Sequence, residues 1–471
     1  MKLKKLAAVT LAGAMAASLV ACGGESNSNS NTNTDTDTSE TAVVDDNNAS
    51  DDNASDDSSS TSDEKLVIWT LAVDLQDMAA KYQEETGVEC EVVVTAPADY
   101  PTKVETAILA GEKEPDIIVG EPQMLDAYYD AGLLADLDAL GAKDHDGEIV
   151  DYVWEKGKSP DGVQRAVSYQ ITPAGIYYRR DIAQEVFGTE DPEEIGKLFA
   201  DYNTILETAK TLKDKGYKIF ASDGEISYFA NKEAWVVDDT LNVPQSRYDF
   251  MDLCINLYQG GYTANAAAWS SPWYTAMAGE IPAYDTSVNV WDEDALAEAA
   301  EGAEMTQVFA YGLPSWGVLT MRDNYKETEG KWGVCAGPSS GFGGGTYIGI
   351  SENSERKESA WKFIEWVCFN QDTLDWWLDY SKGDTVSNKE TLDRHKDDEN
   401  ATYGNQKLYQ FWLQEAEKID LSIVTPYDTA IGDAWNNAIT SIKTGEKDKD
   451  AAINEFYDVV ESTYPEITIN R

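Results

Sequence analysis

Few residues in this chain have the type and spacing that chemistry demands. Gly337-Pro338-Ser339-Ser340-Gly341 carries the letters of a Gly-x-Ser-x-Gly nucleophile elbow, which holds its serine on a sharp turn between a strand and a helix. Here strand-like runs lie on both sides. The base would have to be His395, one of only two histidines and part of the charged stretch Asp393–Glu399. Gly157-Lys158-Ser159 ends like a phosphate loop, but the glycine needed five residues earlier is Tyr152. Asp144, Asp146 and Gly147 echo a calcium loop whose opening acid is Ala142 and whose closing glutamate is Val153. Each motif lacks an essential part. With 86 Asp and Glu, carboxylate pairs occur throughout, so spacing alone cannot argue a glycosidase pair.

The aromatic residues are more informative. There are 14 Trp and 25 Tyr. Several stand beside Gly, Pro or Ser instead of on a periodic helical stripe: Tyr228-Phe229, Trp269, Trp273-Tyr274, Trp291, Ser315-Trp316-Gly317 and Phe342. Aromatic faces stack on the C–H faces of sugar rings, while carboxylates and amides accept hydroxyl protons. A polyol site therefore needs both and no metal. Trp361, Trp366 and Trp376-Trp377 fall on helical patterns and read as packing residues.

The elements that would position such a site alternate between strand and helix. Leu66–Trp69, Val88–Thr95 and Asp116–Gly120 are strand-like. Between and after them, Leu75, Met78, Ala79 and Tyr82, then Val104, Ala107 and Ile108, then Leu125, Tyr128 and Tyr129 recur at helical spacing. This order predicts α/β lobes, each a mostly parallel sheet flanked by helices. Ligands of such sheets lie beyond the carboxyl ends of the strands, which points to loops at 71–74, 96–100 and 121–123. Later strand candidates are Ile219–Ser222, Gln307–Tyr311, Trp332–Ala336 and Thr346–Ile350. Cys90, Cys254, Cys335 and Cys368 show no metal or redox spacing and are expected to be free thiols.

The length of 471 residues suggests two or three folding units, and 42% hydrophobic residues can supply a core. A net charge of −50 argues against nucleic acid as a partner, because phosphates need clustered Lys and Arg. Lysines in residues 1–5, an apolar run at Leu6–Val20 and the ending Ala21-Cys22-Gly23 describe a secretory signal. Leu19-Val20-Ala21-Cys22 resembles the bacterial lipobox, which implies a lipid (palmitate) on Cys22 and a membrane anchor. Residues 22–64, almost wholly Gly, Ser, Asn, Thr, Asp and Glu, have the composition of a disordered tether.

The order of landmarks from Lys65 to about Ser462 resembles the extracellular solute-binding proteins of bacterial ABC importers, in the branch that includes maltose-binding protein. The landmarks are Ala110-Gly111-Glu112 ahead of Pro115–Val119, Ala131-Gly132-Leu133-Leu134-Ala135-Asp136-Leu137, Val167–Gln170 through Tyr177–Asp181, and Ala276–Glu280. Tyr311–Trp316, Trp332-Gly333-Val334, Gly343–Ile350, Ala360-Trp361, Gly432–Ile442 and Thr444-Gly445-Glu446 follow in order. The stretch Asp285–Gln307 is longer than the family's usual link.

That resemblance implies two lobes joined by a hinge, a type II-like binding-protein fold. Residues 65–170 with 343–382 would form one lobe, and 171–342 with 383–471 the other. It implies a monomer that binds its ligand in the inter-lobe cleft and presents it to the permease's transmembrane subunits. Localisation would be on the extracellular side of the cell membrane, with no catalytic residue, cofactor or metal. Combining loop position with residue type, the ligand-binding candidates are Asp74, Glu121, Tyr169, Tyr228, Trp273, Trp316 and Phe342. Trp235, Trp291 and Trp435 are added with less support from position. The expected ligand is an oligosaccharide. A polyamine or peptide suits the same fold, and a surface-anchored glycoside hydrolase would share the anchor, acids and aromatics.

Overall fold

The structure is a computed structural model, and it describes residues 65–471. The expected signal peptide, Cys22 and the expected tether at 22–64 lie outside the described residues.

The opening strand β1 (Leu66–Thr70) is buried except at Trp69, as a strand covered on both faces requires. The helix α1 (Asp74–Thr86) buries Leu75, Met78, Ala79 and Tyr82, and stops at Gly87, whose φ of 76° closes the C-cap. Next come β2 (Cys90–Val94), α2 (Tyr100–Leu109), β3 (Ile117–Gly120), α3 (Pro122–Asp130) and β4 (Ala166–Ser168). The chain then crosses to a second sheet with β5 (Ala174–Arg179) and β6 (Tyr217–Phe220). A small hairpin follows, β7 (Val236–Val237) with β8 (Thr240–Leu241), and then β9 (Glu280–Pro282), β10 (Met305–Pro314) and β11 (Trp332–Cys335). It returns to the first sheet with β12 (Tyr347–Ile350).

The strand orders are β2-β1-β3-β12-β4 and β11-β5-β10-β6, with β9 on β10. The expectation of mostly parallel sheets holds only at the start. β1 pairs parallel with β2 and β3, whereas β12 runs antiparallel to β3 and β4. In the second sheet only β10–β6 is parallel. The reason is the crossings. A strand that enters a sheet from the other lobe, as β12 does, need not follow a βαβ unit, and only that unit forces parallel pairing.

The two faces of the second sheet feed different apolar clusters. Tyr177, Tyr311, Trp332 and Val334 join a cluster continuous with the first sheet and its helices. Ile176, Tyr178, Ala310 and Cys335 pack with the helices at 202–213, 245–259, 428–443 and 449–463. This is the period-two alternation of strands. Cys90, Cys254, Cys335 and Cys368 are free thiols.

The crossings lie side by side. Ala174 N–H donates to Gly341 O and Gly343 N–H to Thr172 O. A third segment, 384–387, is tied to the first crossing: Ser387 N–H donates to Tyr169 O, and Thr385 Oγ1 to Ile171 O. Asp384, fully buried, accepts from Ser315 Oγ at 3.0 Å and from Trp377 Nε1 at 3.2 Å.

Candidate functional site

A cavity of about 730 Å³ opens at these crossings, lined from both sheets. Its first wall is built from loops beyond the carboxyl ends of β1 and β3. Asp74 begins α1, and its Oδ1 accepts Leu75 N–H at 3.0 Å. Glu121 stands at the N-cap of α3 with Pro122 behind it. Both acids therefore sit at helix N-termini, whose partial positive charge favours an anion. Burial outweighs that effect: it pushes the Asp74 carboxyl up to about 6 and raises that of Glu121, against the opposing bond from Gln123 Nε2 at 2.5 Å. Neither acid has a cationic partner among the described residues.

The floor is the return crossing, Phe342 to Thr346. Gly344 and Gly345 have φ of 70° and 118°. A Cβ on Gly344 would lie 3.4 Å from Trp316 Nε1 and 3.7 Å from Glu121 Oε1. The backbone here thus passes between an acid of one wall and an indole of the other.

The second wall is aromatic. Trp316 caps the helix Gly317–Asn324 at the end of β10, and its Nε1 donates to Gly343 O at 2.9 Å. Tyr228 meets it edge-on with centroids 6.2 Å apart. Trp269 stacks near it and backs onto Trp273 at 4.8 Å. Trp273 is itself held by Glu225, whose two oxygens accept from Nε1 at 3.2 and 3.1 Å. Burial pushes the Glu225 carboxyl up to about 8. Farther along the wall, Arg247 lies 3.3 Å over the Trp235 ring, beside Asn231, Glu233 and Asp428.

Of the residues singled out from sequence, the fold brings Asp74, Glu121, Tyr228, Trp235, Trp316 and Phe342 to one cavity. Four lie elsewhere. Tyr169 is fully buried behind the wall and donates its hydroxyl to Asp74. Trp273 is fully buried, and its neighbour Trp269 takes the lining position in its place. Trp435 is buried against Trp235, Tyr248 and Phe456. Trp291 is 65% exposed and outside the cavity.

Sequence reasoning left Trp269, Arg247, Asn231, Gln123, Gln170 and Tyr274 out of the candidate site. Two of these carry a signal. Trp269 lies in a loop beside a helix start, where binding residues concentrate. Arg247 lies in the first turn of the helix Gln245–Gln259, an unfavourable place for a cation.

The incomplete motifs have structural roles. Ser339 donates to Phe229 O at 2.8 Å in a loop between two strands, and His395 sits between Asp375 and Asp398. No cluster of metal-ligating side chains occurs among the described residues.

Residues 77–402 match the model of a family described as bacterial extracellular solute-binding protein. With more than half the chain matched, this protein belongs to that family. Comparison with curated proteins gives no significant match. Among solved structures, a family 1 extracellular solute-binding protein is 19% identical, with TM-score 0.65 over 84% of this chain and 99% of that one. The ABC transporter associated binding protein from B. animalis subsp. lactis Bl-04, in complex with β-1,6-galactobiose, is 16% identical. Its TM-score is 0.63 over 86% and 99% of the chains. The galacto-N-biose-/lacto-N-biose I-binding protein of Bifidobacterium longum is 14% identical, with TM-score 0.63 over 86% and 99%. At these identities the likeness is one of fold: two lobes around a cleft.

Proposed function

We propose that this chain captures an oligosaccharide between its lobes and delivers it to the transmembrane subunits of an ABC permease. The observation that carries the proposal is one cavity with two unlike walls. Asp74, Glu121 and Gln123 offer acceptors on one side, and Trp269, Trp316 and Tyr228 offer aromatic faces on the other. Sugar rings use both at once. A ligand that touches both walls only when they are close stabilises the closed arrangement, which is the state a permease would read. The lobes in this reading are residues 65–170 with 343–382 and 171–342 with 383–471. Structural neighbours solved in complex with β-1,6-galactobiose and lacto-N-biose support the ligand class. A lipid on Cys22 would hold the protein, as a monomer, at the outer face of the cell membrane. The chain carries out no chemistry on its ligand.

The test is tryptophan fluorescence and melting temperature of the protein against sugars, oligosaccharides and polyamines. A ligand at about 100 times its Kd adds roughly 2.7 kcal/mol of stability. An oligosaccharide that shifts both signals and is recovered intact supports the proposal. Recovery of a cleaved sugar, or a response to polyamines alone, overturns it.

A further inference from the structure

The Arg247 end of the cavity differs from the rest. Arg247 is 4% exposed yet lines the cavity. Its guanidinium lies over the Trp235 ring and is held by two neutral acceptors, Asn231 Oδ1 at 3.0 Å and the Glu233 carbonyl at 2.6 Å. A guanidinium has five N–H donors, so three remain, and Nε is buried with no partner. No carboxylate lies within ion-pair distance of it among the described residues. Asp428 and Glu233 are near enough to act through charge. The Asp428 carboxyl, however, bonds Thr425 Oγ1 at 2.5 Å, and only the main chain of Glu233 bonds Arg247. Burial outweighs both charges and brings the guanidinium down to about 10. The helix end beneath it disfavours a cation as well. A buried, unpaired cation is costly in a finished core. In the wall of a ligand cavity the missing anion can come from the ligand.

We propose that Arg247 is a specificity-determining residue that binds the carboxylate of an acidic sugar unit, so that the oligosaccharide taken by this cleft contains a uronic acid. This rests on the carbohydrate reading above. The planar fork presents parallel N–H groups to a carboxylate. Trp235 backs that fork, and the rest of the ligand extends toward Trp269 and Trp316.

The test is calorimetric titration of the protein with oligogalacturonides and oligoglucuronides of two to four units, each beside its carboxyl-reduced, neutral counterpart. A uronate should bind at least about tenfold more tightly than its reduced form. Arg247→Gln should abolish that preference, costing the uronate at least about tenfold more affinity than its reduced counterpart, and Arg247→Lys should keep part of it. Melting temperatures of both variants check that the fold survives. Equal or tighter binding of the reduced sugars overturns the inference and leaves the carbohydrate reading intact. Equal loss of both ligands in Arg247→Gln also overturns it, by making Arg247 a packing residue. If neither series binds and neutral sugars also fail, both readings fall.

Discussion

Trp269 and Trp316 lie with ring centroids 6.0 Å apart and planes inclined by only 27°, although they come from different loops of the second sheet's surroundings. Trp269 reaches this position with a φ of 70°, in the left-handed region that side chains other than Gly, Asn and Asp rarely visit. It remains 43% exposed. Backbone strain of this kind clusters at ligand clamps, and here it falls on an aromatic residue that lines the cavity.

That backbone can be tested by comparing Trp269→Gly with Trp269→Ala. Both lose the indole and should lose affinity together. The glycine variant should be the more stable by about 1 kcal/mol, since glycine carries no Cβ penalty at this φ. Calorimetric titration and thermal unfolding of the two variants check both halves. Equal stability would remove the strain argument.

Trp316 contributes a ring face and also the bond from Nε1 to Gly343 O. Trp316→Ala should weaken oligosaccharide binding by roughly 10- to 100-fold, as expected for an aromatic anchor that a ligand covers. Trp316→Phe should recover much of the stacking but not the bond. A titration series with the three proteins separates these contributions.

The floor offers a steric test. A Cβ on Gly343 would fall 2.2 Å from the Tyr228 ring, so Gly343→Ala must displace that ring or the crossing itself. The expected outcome is lower affinity together with a lower melting temperature. Gly224→Ala, where a Cβ meets open space, serves as the control and should change neither by much.

Two buried acids, Glu225 and Asp384, and the half-buried Asp74 make stability depend on pH. Desolvation pushes Asp74 up to about 6, Asp384 to about 7 and Glu225 to about 8, from ordinary values of 3.8 and 4.5. The folded protein then keeps protons that the unfolded chain has released. The stability these groups contribute is complete below about pH 4 and is lost as the pH rises to about 8. Melting temperature should therefore fall between pH 5 and pH 8. Glu225→Gln, which keeps an acceptor for Trp273, should flatten the upper part of that fall. An unchanged slope in the variant would contradict the assignment.

Much of the first sheet was legible in the sequence, because its strands are continuous apolar runs and its helices bury one regular stripe. Asp74 and Glu121 followed from that pattern: each is the polar residue where a strand ends and a helix begins. The second wall was less legible. Trp269 and Trp273 are four positions apart and chemically identical, and Glu225, far off in sequence, holds the second of them inside. Trp435, a lesser candidate in the sequence, is covered by Trp235 and Phe456.

The sequence by itself determined the alternation of strand and helix, the shortage of catalytic parts and the placement of two acids at helix starts. These depend on neighbouring residues and on periods of two and 3.6. The tertiary structure alone decided which indoles face the cavity, that β12 enters antiparallel, and that Arg247 lies unpaired beside Trp235. The strand pairing joins Tyr347 to Gly120, more than two hundred positions away, while the indoles and Arg247 are placed by side chains from other elements, Glu225 on Trp273 and Trp235 under Arg247, and no local pattern records such meetings.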